Sequence, residues 1–406
     1  MTDVQFGKEV YEYSLQLEQQ GKDANQIAKV LCDRDSEGCN YGIGIVLNAS
    51  GKPMDTSSTM LEYTSSELGI SKAGDYMNSN AIIEEVKIAV LKWQRIPEEY
   101  WRHFKLALPS DAGTGAVKSG IEIALMLESR IGALGIEELG WPAYKAIAKI
   151  ARVQWKEFAE DCVISGKDIL PVYQAGPMNT TGLVRGKDVI NARAKSAADS
   201  NSYVVLDRAY SGFEFAGLLT HHSYSDIMRM SYELQIQPFI EKEVNFCIAI
   251  SPTKSFITFA LRPCGLLLIF SPDKSREKDV TNVINSTIRA RGSAFEHLAT
   301  RALAKAISKD LPRLEAEHQT ALERVAEAEA MWRKLVEGSP IEYLYSENFA
   351  GLFRNPKSHE EAAIHIYNEH IYPVFSQQRC RQNITGIPDD EELAKKHVRA
   401  FSEQCY

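Results

Sequence analysis

Hydrophobic and polar residues change their periodicity several times along the central part of the chain. Short apolar runs of strand length occur at 103–108, 203–206 and 244–250, whereas apolar residues recur at helical spacing through 116–129 and 188–198. Strands that alternate with helices favour a mostly parallel sheet with helices on both faces. The pattern therefore predicts an α/β fold.

Two ambiguous segments and a long helical pattern complete this assignment. We predict a helix over 141–159 and a short strand over 257–261. The pattern over 284–336 is almost entirely helical, with a break expected at Leu311-Pro312 because proline cannot continue a helix. The residues after it look like a separate α/β layer. With 406 residues, two domains are expected.

Composition narrows the class of protein and its partners. The net charge is −8, from 46 basic and 54 acidic residues, and such a mild acidic excess argues against nucleic acid as the main partner. No stretch approaches the ~20 apolar residues of a membrane span, and the N-terminus lacks the apolar core of a signal peptide. Seven cysteines form no CxxC pair, which indicates neither a disulfide framework nor a metal site. We expect reduced thiols in a cytoplasmic protein.

Polar residues follow several of the predicted strands, at the edge where ligands bind in open parallel sheets. The turn at 112–115 suits a phosphate because it presents backbone N–H groups at the start of a helix, although an ordinary turn has the same composition. Lys254 closely follows an apolar strand, so it either forms a Schiff base or belongs to an ion pair. Asp207 ends a strand, where a buried carboxylate needs a protonated ring nitrogen or a nearby Lys or Arg.

Taken together, these three features restrict the chemistry more than any one of them does. They supply a phosphate cradle, an amine that can bind an aldehyde, and a partner for a ring nitrogen. Few cofactors other than pyridoxal 5'-phosphate (PLP) need all three. The residues therefore predict a PLP enzyme in which Lys254 anchors the cofactor.

An ordered series of motifs resembles the class I aminotransferases, the aspartate and aromatic amino acid group, over most of the chain. The matching residues are Asn40-Tyr41-Gly42-Ile43-Gly44, Ala112-Gly113-Thr114-Gly115, Trp141-Pro142, Asn179-Thr180-Thr181-Gly182, Asp207-Arg208-Ala209-Tyr210, Ser251-Pro252-Thr253-Lys254, Arg262 and Arg381-Gln382-Asn383. The resemblance implies PLP fold type I, with a large domain built on a mostly parallel mixed sheet and a smaller α/β domain. It places an N-terminal arm and part of the small domain at 1–50, the large PLP-binding domain at 51–310 and the small C-terminal domain at 311–406.

The resemblance also implies a role for each matching residue. Lys254 would carry PLP as a Schiff base, Asp207 would pair with the pyridine nitrogen and Tyr210 would contact the ring hydroxyl. The implied cofactor-binding residues are Ala112, Gly113, Thr114, Trp141, Asn179, Asp207, Tyr210, Ser251, Lys254 and Arg262. The implied substrate-binding residues are Gly44, Trp141, Asn179, Arg289 and Arg381, with Arg381 on the substrate α-carboxylate.

Four positions depart from the family pattern. Thr180 replaces a proline, so the conformation of the preceding peptide could differ. Tyr144 stands where many members have a histidine behind the aspartate, and Glu67 stands where many have a tyrosine that reaches the partner subunit's phosphate. The expected Ser-Asn-Pro-Pro after Arg289 is absent, since the sequence reads Ser293-Ala294-Phe295-Glu296. Arg289 therefore either binds an acidic substrate side chain or forms a surface ion pair.

The leading interpretation is a PLP-dependent aminotransferase that moves an amino group between an acidic or aromatic L-amino acid and a 2-oxo acid. One alternative is a PLP lyase, decarboxylase, cyclase or oxidase on the same fold, because the fate of the carbanion depends on details of the pocket. The other is a non-catalytic protein built on this scaffold. The resemblance further implies a homodimer in which each active site takes residues from the other subunit.

Overall fold

The computed structural model describes residues 4–70, 78–293 and 296–406. Its strands are β1 (Cys39–Asn40), β2 (Phe104–Ala107), β3 (Ala133–Glu137), β4 (Gln154–Phe158), β5 (Ile169–Gln174), β6 (Val204–Arg208), β7 (Phe246–Ile250), β8 (Leu266–Phe270), β9 (Phe353–Arg354), β10 (Ile371–Tyr372), β11 (Val374–Ser376) and β12 (Arg379–Asn383). Its helices are α1 (Gln5–Gln19), α2 (Ala24–Arg34), α3 (Ser58–Ile70), α4 (Ile83–Trp93), α5 (Ala112–Leu127), α6 (Ala143–Ala151), α7 (Lys187–Asp199), α8 (Tyr224–Gln235), α9 (Gln237–Glu241), α10 (Pro252–Ser255), α11 (Glu277–Gly292), α12 (Leu298–Lys309), α13 (Leu311–Leu335), α14 (Ala362–Asn368) and α15 (Glu391–Gln404).

A seven-stranded sheet forms the centre of the molecule, in the order β2-β8-β7-β6-β5-β3-β4. Neighbours from β7 to β4 pair in parallel, whereas β8 runs antiparallel to both β7 and β2. One reversed strand makes the sheet mixed but mostly parallel. The predicted α/β fold class is therefore confirmed.

Both faces of this sheet are covered, which explains why its central strands have continuous apolar runs. In β7, Phe246, Ile248 and Ile250 belong to one core, while Cys247 and Ala249 belong to the other. Alternate residues of a strand point to opposite faces, so a strand between two cores is apolar throughout. Helix α5 covers one face, and α4, α8, α12 and α13 contribute to the core on the other.

Two small sheets lie outside the central one. β1 pairs in parallel with β10, so a segment near the N-terminus is joined to one near the C-terminus. β12 lies between β11 and β9 and pairs antiparallel with both. The 25-residue helix α13 precedes the strands of the C-terminal part. Among the described helices, none has the length and apolar content needed to cross a bilayer.

The structure corrects two of the predicted elements. The segment 257–261 is not a strand, because Ile257 has a φ of 48° and the chain turns after α10. The segment 141–159 is not one helix, because Arg152 ends α6 with a φ of 58° and the chain continues into β4. The break expected at Leu311-Pro312 is confirmed, since α13 begins at Leu311 with proline in its first turn.

Trp332 on α13 ties this helix to the C-terminal part, and its removal should be costly. Its buried ring stacks on Tyr345 with the centroids 5.3 Å apart, and its Nε1–H donates to the Ile384 carbonyl at 3.0 Å. We predict that Trp332→Ala lowers the free energy of unfolding by about 3–5 kcal/mol through the cavity that it leaves. Trp332→Phe should lose less, about 1 kcal/mol, since it mainly forfeits the hydrogen bond. Urea unfolding would measure both, and equal losses for the two variants would contradict this account.

Candidate active site

A cavity of about 250 Å³ lies at the carboxyl ends of the central parallel strands. All ten residues expected to bind the cofactor line it: Ala112, Gly113, Thr114, Trp141, Asn179, Asp207, Tyr210, Ser251, Lys254 and Arg262. They come from segments spread over 151 positions of the sequence. The rule that ligands bind where parallel strands end explains their convergence.

One end of the cavity is a cradle of backbone around the start of α5. Asp111 and Ala112 have φ values of 71° and 53°, in the left-handed region that L-residues rarely adopt. A Cβ on Gly113 would lie 2.6 Å from the Cβ of Ser251, so only glycine fits between the two loops. The first N–H groups of a helix have no partner within the helix, and Arg262 adds a cation to the same cavity. This end therefore suits a phosphate.

Asp207 lies at the end of β6 and is buried beneath the cavity. Its Oδ2 accepts a hydrogen bond from Tyr144 Oη at 2.6 Å, and its Oδ1 accepts one from the Ala209 N–H at 3.0 Å. Burial raises the pKa of Asp207, while the Tyr144 hydrogen bond and the charge of Lys254 oppose that rise. Within the described residues, no cation forms an ion pair with Asp207. A protonated ring nitrogen would supply one.

The amine of Lys254 faces the ring of Tyr210 across the same cavity. Lys254 Nζ lies 4.5 Å from the centre of that ring, and no described carboxylate lies within ion-pair distance of it. Asn179 Nδ2 donates to Tyr210 Oη at 2.7 Å, so the amide and the phenol are already joined. The structure thus shows no ion pair for Lys254 among the described residues, and the amine is available to react.

The predicted substrate residues divide into two groups. Arg381 on β12 lies 4.5 Å above the ring of Phe353, and a Cβ on Gly44 would lie 3.8 Å from the same ring. Burial lowers the pKa of Arg381, and the nearby Tyr210 opposes that change. Arg289, by contrast, is exposed on α11 and does not line the cavity. None of the three lines the cavity, but Arg381 lies close to Tyr210, which does, and Gly44 lies close to Phe353 beneath Arg381.

Three of the residues that depart from the family pattern make contacts that the structure shows. Tyr144 reaches Asp207, as described above. Thr180 Oγ1 donates to the Leu139 carbonyl, and the peptide before it is trans, like all the described peptide bonds. Glu67 is buried and forms ion pairs with Arg301 and Lys305 of α12, so its carboxylate is engaged by cations of its own chain. Ala294 and Phe295, in the segment after Arg289, lie outside the described residues.

The sequence did not single out several residues that line the cavity or reach the site. Gln174 is one of them: its Oε1 accepts from the Asn179 N–H at 2.9 Å, and its buried Nε2 has no hydrogen-bond partner among the described residues. It is the last residue of β5, so the rule of strand ends could have found it. The others are Val117, Ala209, Thr253 and Phe259, which line the cavity, and Asn25, which contacts Arg381.

The fold and the cavity together define a PLP-type transferase. A profile of the family described as aminotransferase class I and II matches residues 110–389, which is more than half of the chain. The chain therefore belongs to the class I and II aminotransferase family. Membership confirms the family inferred from the motifs, together with the expected enzyme class and its cofactor, PLP.

Solved structures of aminotransferases share this fold. An aromatic-amino-acid aminotransferase from Burkholderia pseudomallei, covalently bound to pyridoxal phosphate, is 18% identical, with a TM-score of 0.76 over 94% of this chain and 96% of that one. A broad specificity aminotransferase from Leishmania mexicana is 17% identical, with a TM-score of 0.77 over 94% and 95%. A cytoplasmic aspartate aminotransferase from Saccharomyces cerevisiae is 15% identical, with a TM-score of 0.72 over 94% and 96%. A search of curated proteins found no match. At these identities the likeness establishes the fold.

The close approach at Gly113 yields a test of the phosphate cradle. We predict that Gly113→Ala weakens PLP binding at least about tenfold, equivalent to about 1.4 kcal/mol, because the added Cβ must push Ser251 aside. Gly132→Ala is the matched control, since a Cβ there meets nothing within 4 Å. PLP affinity is measured by titration of the cofactor-free protein, with unfolding curves to check stability. Equal affinities in the two variants would rule out the cradle.

The Tyr144 hydrogen bond gives a pH-dependent prediction. A carboxyl whose pKa is raised on folding stabilises the fold below its unfolded pKa and loses that contribution as pH rises. Tyr144→Phe removes a donor that lowers the pKa of Asp207, so the loss should grow with pH. In cofactor-free protein we expect Tyr144→Phe to cost about 1–3 kcal/mol at neutral pH and less near pH 4.

Urea unfolding across this pH range would measure the effect. The control is Tyr203→Phe, which removes a buried hydroxyl that is hydrogen-bonded to Cys247 and to none of the described carboxylates. Its cost should vary little with pH. A cost for Tyr144→Phe that is the same at every pH would show that the phenol does not influence Asp207.

Proposed function

We propose that the chain catalyses transamination between an acidic or aromatic L-amino acid and a 2-oxo acid, with Lys254, Asp207 and Tyr210 as its catalytic residues. The observation that carries this proposal is the cavity, in which Lys254 forms no ion pair with a described carboxylate and Asp207 forms none with a described cation, although the charges of the two residues interact across it. These two groups complement the aldehyde and the ring nitrogen of PLP. Family membership supports the same reaction class.

The residues present fit PLP at each of its functional groups. The 112–114 turn, Ser251 and Arg262 would hold the phosphate, and Asp207 would hold the ring nitrogen. Asn179 and Tyr210 would bind the ring oxygen, and Trp141 would stack on the ring. When bound, PLP supplies an electron sink for the bond that breaks at the substrate Cα.

The side chains of this chain would then bind substrate and move a proton. Arg381 orients the substrate through its α-carboxylate, a group that matches the guanidinium fork. Lys254 Nζ would act as the base that removes the proton from the substrate Cα and then as the acid that returns it. Its place on the short helix α10, which directly follows β7, holds this amine at the cavity.

The binding of an acidic substrate side chain by Arg289 also remains a proposal. Arg289 is exposed and absent from the lining of its own cavity, so such a role requires the cavity of a second copy. We therefore propose a homodimer. The half-exposed Phe259, which lines the cavity, and the exposed Leu61 and Leu68 on α3 provide apolar surface for it.

Two further expectations are carried forward as proposals. We propose that residues 1–50 form an N-terminal arm and part of the small domain, 51–310 the large domain and 311–406 the small C-terminal domain. The pairing of β1 with β10 supports the first of these assignments. We also propose a cytoplasmic location, which the seven free cysteines support because disulfides are rare there.

An assay of the complete transamination reaction tests the proposed function. Purified protein with PLP should convert an aromatic or acidic amino acid and 2-oxoglutarate into stoichiometric glutamate. Lys254→Ala should lower this rate at least about a hundredfold, since a positioned acid–base group contributes that much. It should also abolish the absorbance band near the visible edge that survives dialysis. Lys195→Ala, on an exposed lysine of α7, is the control and should match the unmodified enzyme.

The outcomes separate the alternative functions. Release of ammonia or consumption of oxygen without glutamate would replace transamination by a lyase or oxidase reaction on the same cofactor. No retained band in protein purified with PLP would overturn the assignment of Lys254 as the cofactor anchor.

A further inference from the structure

The nitrogen atoms of the Arg381 guanidinium differ in their hydrogen bonding. Its Nη2 donates to Asn25 Oδ1 at 2.6 Å and to the Gly42 carbonyl at 3.1 Å, which engages both of its hydrogens. Its Nε is buried and has no hydrogen-bond partner within the described part of the chain. None of the described carboxylates pairs with Arg381. The group is thus held on one side and lacks an acceptor on another.

Asn25 is held firmly in the position from which it contacts Arg381. It is the second residue of α2, and the Asp23 side chain caps this helix by accepting the N–H groups of Asn25 and Gln26 at 2.9 and 3.0 Å. The cap uses the backbone of Asn25 and leaves its amide side chain free. A capped helix thus directs the amide oxygen at Arg381, 356 positions away in the sequence.

We propose that Asn25 is a positioning residue for the substrate carboxylate. By accepting from Nη2, opposite the fixed Gly42 carbonyl, Asn25 sets the plane of the guanidinium above Phe353. The unpaired Nε–H then remains for the carboxylate, whose binding relieves the cost of a buried donor without a partner. The inference rests on the proposed role of Arg381 in binding the α-carboxylate.

The proposal depends on the fact that the Asn25 side chain is uncharged. A neutral amide leaves the guanidinium charge available to the substrate. An aspartate at position 25 would have the same shape but would add a carboxylate against Nη2, and this internal anion would compete with the substrate for Arg381. Although Asn25 is exposed, the isosteric substitution should therefore be more harmful than truncation, the opposite of the order expected at an exposed position that makes no such contact.

The test compares Asn25→Ala, Asn25→Asp and Arg381→Ala in the PLP-loaded enzyme. We expect Asn25→Ala to raise KM for the amino acid about tenfold with kcat within twofold, and Asn25→Asp to raise KM further. The affinity for a simple monocarboxylate, 3-phenylpropanoate, should fall in the same order when followed by the cofactor spectrum. Lys29→Ala on the same helix is the control, because Lys29 is exposed and forms a surface ion pair with Asp33.

Three outcomes decide between the possibilities. Larger effects of Asn25→Asp than of Asn25→Ala on KM and on carboxylate affinity, with an unchanged kcat, support the inference. If Arg381→Ala weakens carboxylate binding strongly while both Asn25 variants stay within twofold of the unmodified enzyme, the inference fails and the proposed function stands. If Arg381→Ala has no effect on carboxylate binding, the role of Arg381 fails, and the inference fails with it.

Discussion

A carboxylate buried at the end of a parallel strand is the constraint on which the candidate site depends. β6 lies between β5 and β7, so Asp207 is enclosed by sheet on both sides. The groups that donate to it, Tyr144 Oη and the Ala209 N–H, are both neutral. Neutral donors reduce the cost of burying an anion but do not cancel its charge. The position therefore suits a ligand that brings a cation within ion-pair distance of Asp207.

Close backbone packing, more than side-chain contact, shapes the opposite end of the cavity. Asp111, Ala112 and Arg262 have positive φ values, each costing about 1–3 kcal/mol in a residue other than glycine. A Cβ on Gly265 would lie 2.3 Å from the Ala112 carbonyl, so the two loops are in contact there. The buried, apolar face of α5 offsets this strain by anchoring the helix on the sheet. Strain at the start of α5 and a rigid helix behind it keep the cradle in one shape.

The sequence predicted much of this fold because periodicity and position relative to strand ends are local properties. The sequence-based prediction was wrong where the same spacing of apolar residues can arise from two different local structures. Ile257 and Leu261 are partly buried in a turn, and their spacing imitates a strand. The contact of Tyr144 with Asp207 spans 63 positions and that of Asn25 with Arg381 spans 356. Such contacts depend on how the helices and strands pack against one another, so they cannot be predicted from the spacing of residues along the chain.

The charges retained around the site are consistent with one kind of ligand. Burying a charge without a partner is expensive, yet Asp207 is buried and forms no ion pair with a described cation, and neither Lys254 nor Arg381, both partly buried, forms one with a described carboxylate. In the proposed function, PLP with an amino acid would supply a phosphate of about two negative charges beside Arg262. It would also supply a protonated nitrogen for Asp207 and a carboxylate for Arg381. Each cost in the free protein would then be relieved by a group on the ligand, and the binding energy would be concentrated where the substrate must be oriented.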